Sequence, residues 1–364
     1  MRLQLNRVQQ RAARLLFAFA LIALAAPAAG ADEFVTKTQI YTDNDHTTVV
    51  SPLVRISKDA WRGGILGASF VADVVTSASV DVVTNATARM TDFRKEVAGT
   101  ITQKISDTTL SGAYIYSAEN DYQSHNFNLG LTQDFLQKNS TLAVSYAGSL
   151  NDVGRSGDAN FHKSLDVHTV DAAWTQLLNA RTLMEFAYTF GYATGYQASP
   201  YRFVHVESSP DFKVPETDPD QRFRHAFVVG LKRHVLKDSA IQLDYRFYLD
   251  NWGVTSHTGQ FQYVVDFGAA TLRLRQRFYY QTAASFFQSH YTEVGEGGYL
   301  TADRELSTLW STLTGAKVTI KADKLVKGLS LEAKADVFYF SYIDFAYLHS
   351  RLGANLAAGL NMKY

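Results

Sequence analysis

Residues 273–277 read RLRQR, with an arginine at every second position, and residues 207–220, ESSPDFKVPETDPD, gather Glu207, Asp211, Glu216, Asp218 and Asp220. Alternate residues of a strand share one face, so Arg273, Arg275 and Arg277 would stand as a ladder of fixed positive charge. Such a ladder can select anions in a water-filled passage, or it can neutralise acids on neighbouring strands and hold their register. The carboxylates of 207–220 are hard oxygen donors of the kind that binds Ca²⁺, but they lack the glycine and regular spacing of a dedicated loop. A solvated acidic loop is the expectation there. His162, His168, His205, His225, His234, His257, His290 and His349 are scattered. None forms the His-x-x-x-His pair of a helical metal site, or the spacing of two that serves on a strand. Ser111-Gly112 and Ser156-Gly157 lack the strand-to-helix setting of a nucleophile elbow. The chain is not expected to be an enzyme.

One phrase remains. Residues 73–87, DVVTSASVDVVTNAT, repeat Asp-Val-Val-Thr-x-Ala-Ser/Thr, first from Asp73 and again from Asp81 through Thr84 and Ala86 to Thr87. Val74, Val75, Val82 and Val83 suit a sheet, with Ser and Thr filling turns and strand faces. The surrounding elements decide whether this is ordinary wall or something placed for chemistry.

Those elements alternate with period two from about Phe93 onward, in segments of nine to fourteen residues. In 241–250, Ile241, Leu243, Tyr245, Phe247 and Leu249 oppose Gln242, Asp244, Arg246, Tyr248 and Asp250. In 331–339, Leu331, Ala333, Ala335 and Val337 oppose Glu332, Lys334 and Asp336. A soluble sandwich would alternate too. These segments exceed the usual strand length and match what a tilted strand needs to cross a bilayer. Aromatic residues crowd the apolar faces near segment ends, as headgroup girdles do.

The connections sort by length. Those at 136–140, 178–181, 236–239, 267–270 and 323–329 are short, those at 151–165, 195–222 and 284–312 are long, and the long ones fall on one side. The chain therefore reads as all-β, a transmembrane antiparallel barrel of a bacterial outer membrane. Thirteen strands can be placed from about residue 94. Bacterial barrels have even counts, so the first part must add one strand for fourteen, the preferred number, or three for sixteen. The three would span about 46–57 and 60–72, with a third drawn partly from the doubled phrase. The long connections could fold inward as plugs or capture a ligand.

Residues 1–31 read as an export signal, with Arg2, Arg7, Arg11 and Arg14 before an apolar run and Ala29-Gly30-Ala31 at its end. That leaves 32–364 as a single domain. Lys and Arg together number 35, as do Asp and Glu, and losing the leader tips the balance mildly negative. Nucleic acid, which rewards a concentrated basic surface, is not an expected partner. With no cysteine, disulfide scaffolds and thiolate sites are excluded. The expected location is the outer membrane of a Gram-negative bacterium, in contact with its lipid and lipopolysaccharide. The expected role is channel, transport or structural.

Three resemblances add to this. The run from Asp45 to Pro52 and the doubled phrase, within a signature region at 46–92, resemble a bacterial outer-membrane family known as domain of unknown function 3570. That resemblance implies a barrel and carries no molecular role. The last residues, NLAAGLNMKY, resemble the terminal strand by which the barrel assembly machinery recognises its clients, with Tyr364 where Phe is commoner. The second copy of the phrase also resembles the acceptor motif of periplasmic flavin transferases. This implies FMN held by a phosphoester on Thr87, with Asp81, Thr84 and Ala86 as recognition positions and Asn85 where Gly is usual. The primary expectation is no cofactor; covalent FMN and electron transfer are the alternative.

Overall fold

The computed structural model describes residues 33–77, 90–208, 213–294 and 298–363. The strands are β1 (Glu33–Asp43), β2 (Thr47–Trp61), β3 (Gly64–Ser77), β4 (Met90–Ile105), β5 (Thr108–Ala118), β6 (Tyr122–Phe135), β7 (Ser140–Arg155), β8 (Asp158–Asn179) and β9 (Thr182–Gly195). A small pair follows, β10 (Phe203–His205) and β11 (Lys213–Pro215). The rest are β12 (Gln221–Leu236), β13 (Ser239–Asp250), β14 (Thr255–Asp266), β15 (Ala270–Gln281), β16 (Leu309–Lys321), β17 (Leu329–Tyr342) and β18 (Ser350–Lys363). All but β10 and β11 join one closed antiparallel barrel, in which β1 pairs with both β2 and β18.

The barrel thus has sixteen strands, and the preference for fourteen is corrected. Three strands precede β4, and the third takes Asp73–Ser77 from the doubled phrase. The unforeseen one is β1, EFVTKTQIYTD, which starts before the region where strands were sought. Its outward face carries Thr36 and Thr38 and its inward face Lys37 and Gln39, so hydropathy barely alternates. Register to β2 and β18 on either side supplies what periodicity does not.

Elsewhere alternation fixes the faces. Phe70, Val97, Leu129, Phe227, Leu243 and Val337 are exposed on the outer surface. An apolar belt of this extent marks contact with an apolar medium. Among the described residues no helix is long and apolar enough to cross a membrane, so any crossing is made by strands. From strand to strand the register drifts by roughly one residue at constant height, the stagger that tilt imposes on a closed barrel.

Glu33 and Lys363 pair at one end of the barrel, together with the tight turns such as Asp107 and Lys237-Asp238. The long connections lie at the other end. Residues 151–165 are a correction: they form no irregular loop but continue β7 and β8 as a two-stranded extension up to Arg155 and Asp158. The described parts of the connections 196–220 and 282–308 meet through bridges of Val206 with Tyr291 and of Thr217 with Leu300, forming a cap at this same end.

Candidate functional site: the lumen and its cap

Inward-facing charge is partly neutralised and partly free. Arg275 donates to Asp336 at 2.9 Å, and Lys334 reaches the same carboxylate at 2.7 Å. Asp336 is only 2% exposed, and it fits because Gly315 stands opposite on β16, where a Cβ would collide with the carboxylate. Arg222 binds Asp250 with Nε at 2.9 Å and Nη2 at 2.5 Å, its guanidinium 4.1 Å from the Trp252 ring. Lys37 and Lys317 both hold Glu332, and Arg94 holds Asp73 at 2.6 Å. These pairs are the register-holding network anticipated as one reading of the lumen.

Four arginines stand outside it. Among the described residues, Arg224, Arg246, Arg273 and Arg277 have no carboxylate within ion-pair distance. The Nε of Arg224 is buried with no hydrogen-bond partner, and Arg246 lies 5.3 Å from the Tyr248 ring. Arg224 and Arg246 share a lumen cavity of about 390 Å³ with Tyr248, Tyr279, Gln281 and Leu306. A second cavity of about 240 Å³ holds Arg277 beside Phe338, Phe340 and Arg351. The ladder at 273–277 is therefore divided: Arg275 is spent on Asp336, while its neighbours are available to anions. Arg222 and Arg224 were not singled out from sequence, although QRFRHAF alternates as RLRQR does.

The cap closes over the first cavity. Gln281 Nε2 donates to the carbonyls of Glu305 and Ser307 at 2.9 and 2.8 Å, turning the chain inward through the short helical turn Arg304–Leu306. Arg304 then bonds Asp45 on the β1–β2 turn, and Arg351 reaches Glu305 at 3.3 Å. Leu306 packs into an apolar cluster with Trp252, Val254, Leu309, Tyr342 and Phe345. Of the connection 284–312, one of those that could fold inward, Glu305 and Leu306 line the first cavity. The loop at 196–220 is fastened on top by Glu216, which accepts from Arg202 at 3.0 Å, from the Ser199 amide at 3.2 Å and from the Thr301 hydroxyl.

Glu216 is 4% exposed, which corrects the expectation of a solvated acidic loop. Nor, among the described residues, do its acids form a cation cradle. Glu207 bonds His290 at 2.7 Å, Asp211 lies outside the described residues, and Asp218 is half-buried with its Oδ1 covered and unpaired. Burial, followed by the charges of Glu216 and Asp303, pushes the Asp218 carboxyl up to about 7. Among the described residues, the carboxylates close enough to share a cation are those of Asp92, Glu119 and Asp121. Burial and a hydrogen bond with Asp92 push Glu119 up to about 7.

Of the doubled phrase, Asp73 faces the lumen and is spent on Arg94, and Ser77 bonds Thr47 at 2.8 Å. The described part of the first copy, Asp73–Ser77, is thus barrel wall. Asp81, Thr84, Ala86 and Thr87 lie outside the described residues, as do residues 1–32 with the expected export signal. The connection carrying the second copy leaves β3 at Ser77 and enters β4 at Met90, at the capped end.

The family model described as Protein of unknown function (DUF3570) matches residues 84–174 and 160–341. No curated protein matches the chain in sequence. Among solved structures, CdiB from Acinetobacter baumannii is similar at 9% identity with a TM-score of 0.53, covering 90% of this chain. The chain spans 60% of the length of CdiB. A bacterial polysaccharide outer membrane secretin is similar at 8% identity with a TM-score of 0.51, covering 92% of this chain and 99% of that one. At these identities the likeness is one of fold.

Proposed function

The chain belongs to the DUF3570 family, and from that premise and the lumen's charges we propose that it is an outer-membrane channel for small anions. Arg224 and Arg246, facing one cavity without a carboxylate partner, carry this reading. A guanidinium held in a water-filled passage is always charged. Left unpaired, it raises the local concentration of anions and lowers that of cations. In this reading the barrel end at Glu33 and Lys363 faces the periplasm, the cap faces outward, lipid covers the apolar belt, and β18 is the strand presented to the assembly machinery. No catalytic role is proposed.

Planar-bilayer recording in a salt gradient tests it. The expected reversal potential favours chloride over potassium, and Arg224→Gln combined with Arg246→Gln moves it toward zero. An Arg233→Gln control, outside the lumen, should leave it in place. Cation preference in the unaltered protein would overturn the proposal.

A further inference from the structure

Four consecutive hairpins at the capped end carry the same outward-facing pair. Tyr114 Oη lies 2.7 Å from His125 Nδ1, and Tyr146 Oη 2.8 Å from His168 Nδ1. Tyr188 Oη lies 2.8 Å from His225 Nδ1, and Tyr245 Oη 2.7 Å from His257 Nδ1. In each, tyrosine sits on the strand rising to the cap and histidine on the strand descending from it. The two are diagonal neighbours, a separation that long aromatic side chains bridge. Directly opposite the histidines stand Tyr116, Gly148, Phe190 and Phe247. Three of these rings pack on the imidazole, with centroids 5.0, 5.3 and 5.2 Å apart. Gly148 leaves room instead, since a Cβ there would lie 3.0 Å from the Tyr146 hydroxyl.

The pairs form a level belt. His125 faces Leu150, which faces Asp166, and His168 lies two residues further from the cap on that strand. His168 faces Tyr192, which faces Phe223, and His225 is again two residues further. His257 repeats the step, because His225 faces Leu249 and His257 faces Phe247. A shift of about one residue per strand offsets the tilt of the barrel, so the four imidazoles stand at one height above the apolar band.

A neutral imidazole has one N–H, and a phenol one O–H. If the phenol donates to Nδ1, Nε2–H remains; if Nδ1–H donates, the phenol O–H remains. Either way each pair keeps one donor for an outside partner, and its aromatic body lies against the band below. A partner at that height that offers acceptors and no donors of its own is an ionised phosphate. Resting on the outer-membrane placement proposed above, we propose that the belt His125, His168, His225 and His257 with its tyrosines binds the phosphate groups of the outer-leaflet glycolipid.

The probe is bisphosphorylated lipid A, compared with the same lipid stripped of its phosphates, each added to the full chain in maltoside micelles. The phosphorylated form is expected to raise the unfolding temperature by several degrees more. The variant with all four histidines changed to phenylalanine keeps the rings and should lose that difference, while Arg246→Gln in the lumen should keep it. If the fourfold variant fails to fold, His168→Phe with His225→Phe should lose about half. Equal shifts for the two lipids, or a full difference in the histidine variants, would overturn the belt whatever the channel recordings show.

Discussion

A lumen carboxylate between two cations is a different object from an exposed one. Asp336 takes Arg275 and Lys334 while almost fully covered. Removing its charge leaves both cations without compensation in a poorly solvated place. Breaking a buried pair from one side costs about 3–5 kcal/mol, and an exposed pair about 0–1. Because the two cations keep some contact with lumen water, Asp336→Asn is expected to cost about 2 kcal/mol. Urea unfolding followed by heat-modifiable migration would measure it, and a loss as small as that of an exposed pair would contradict the argument. The sequence displayed the arginine ladder and its facing, because period-two alternation is local. Which rung was spent depends on an aspartate 61 positions away and two strands over, and no local pattern encodes that. The histidines show the same limit. His168, His225 and His257 looked scattered along the chain, and His125 was not singled out, because their common height exists only once strand tilt and register are known.

Strands and connections were legible in proportion to how one-sided they are. Segments such as β13 and β17 have one lipid-type face and one polar face, and their inward residues were placed correctly from alternation. In β1 both faces mix polar and apolar residues, and in the 151–165 stretch the strands continue past the apolar band, so hydropathy gave no sign of either. The cap was readable as length and not as structure, since it is built on contacts between two connections, above all those of Glu216 and Leu306. Its acid chemistry leads to a pH dependence. The Asp218 carboxyl stands at about 7 in the folded cap, raised by burial and then by Glu216 and Asp303, against about 3.9 in an unfolded segment. Between those values the docked cap binds a proton that the undocked one does not, so docking is strongest in acid and weakens as pH rises toward 7. Hydrogen exchange in 196–208, corrected for the intrinsic rate, should show less protection at pH 8 than at pH 5. Asp218→Asn should flatten the difference, whereas protection that grows with pH would refute this account.

Closure of sixteen strands places every odd-to-even turn of the barrel at one end, and this bears on the doubled phrase. With both described ends of the chain at the uncapped end, β3 ends at Ser77 and β4 begins at Met90 at the capped end, so the connection carrying the second copy starts and finishes there. If the capped end faces outward, a periplasmic flavin transferase reaches Thr87 only before the barrel inserts. The first copy offers no second chance, since its Asp73 is held by Arg94. The expected intact mass of the protein from its native host is therefore that of the unmodified chain, unchanged in kind by Thr87→Ala. An FMN increment lost in Thr87→Ala would reverse this conclusion. It would also require transfer to precede closure of β1 on β18, which a variant that is exported but blocked in assembly would reveal by carrying the same increment.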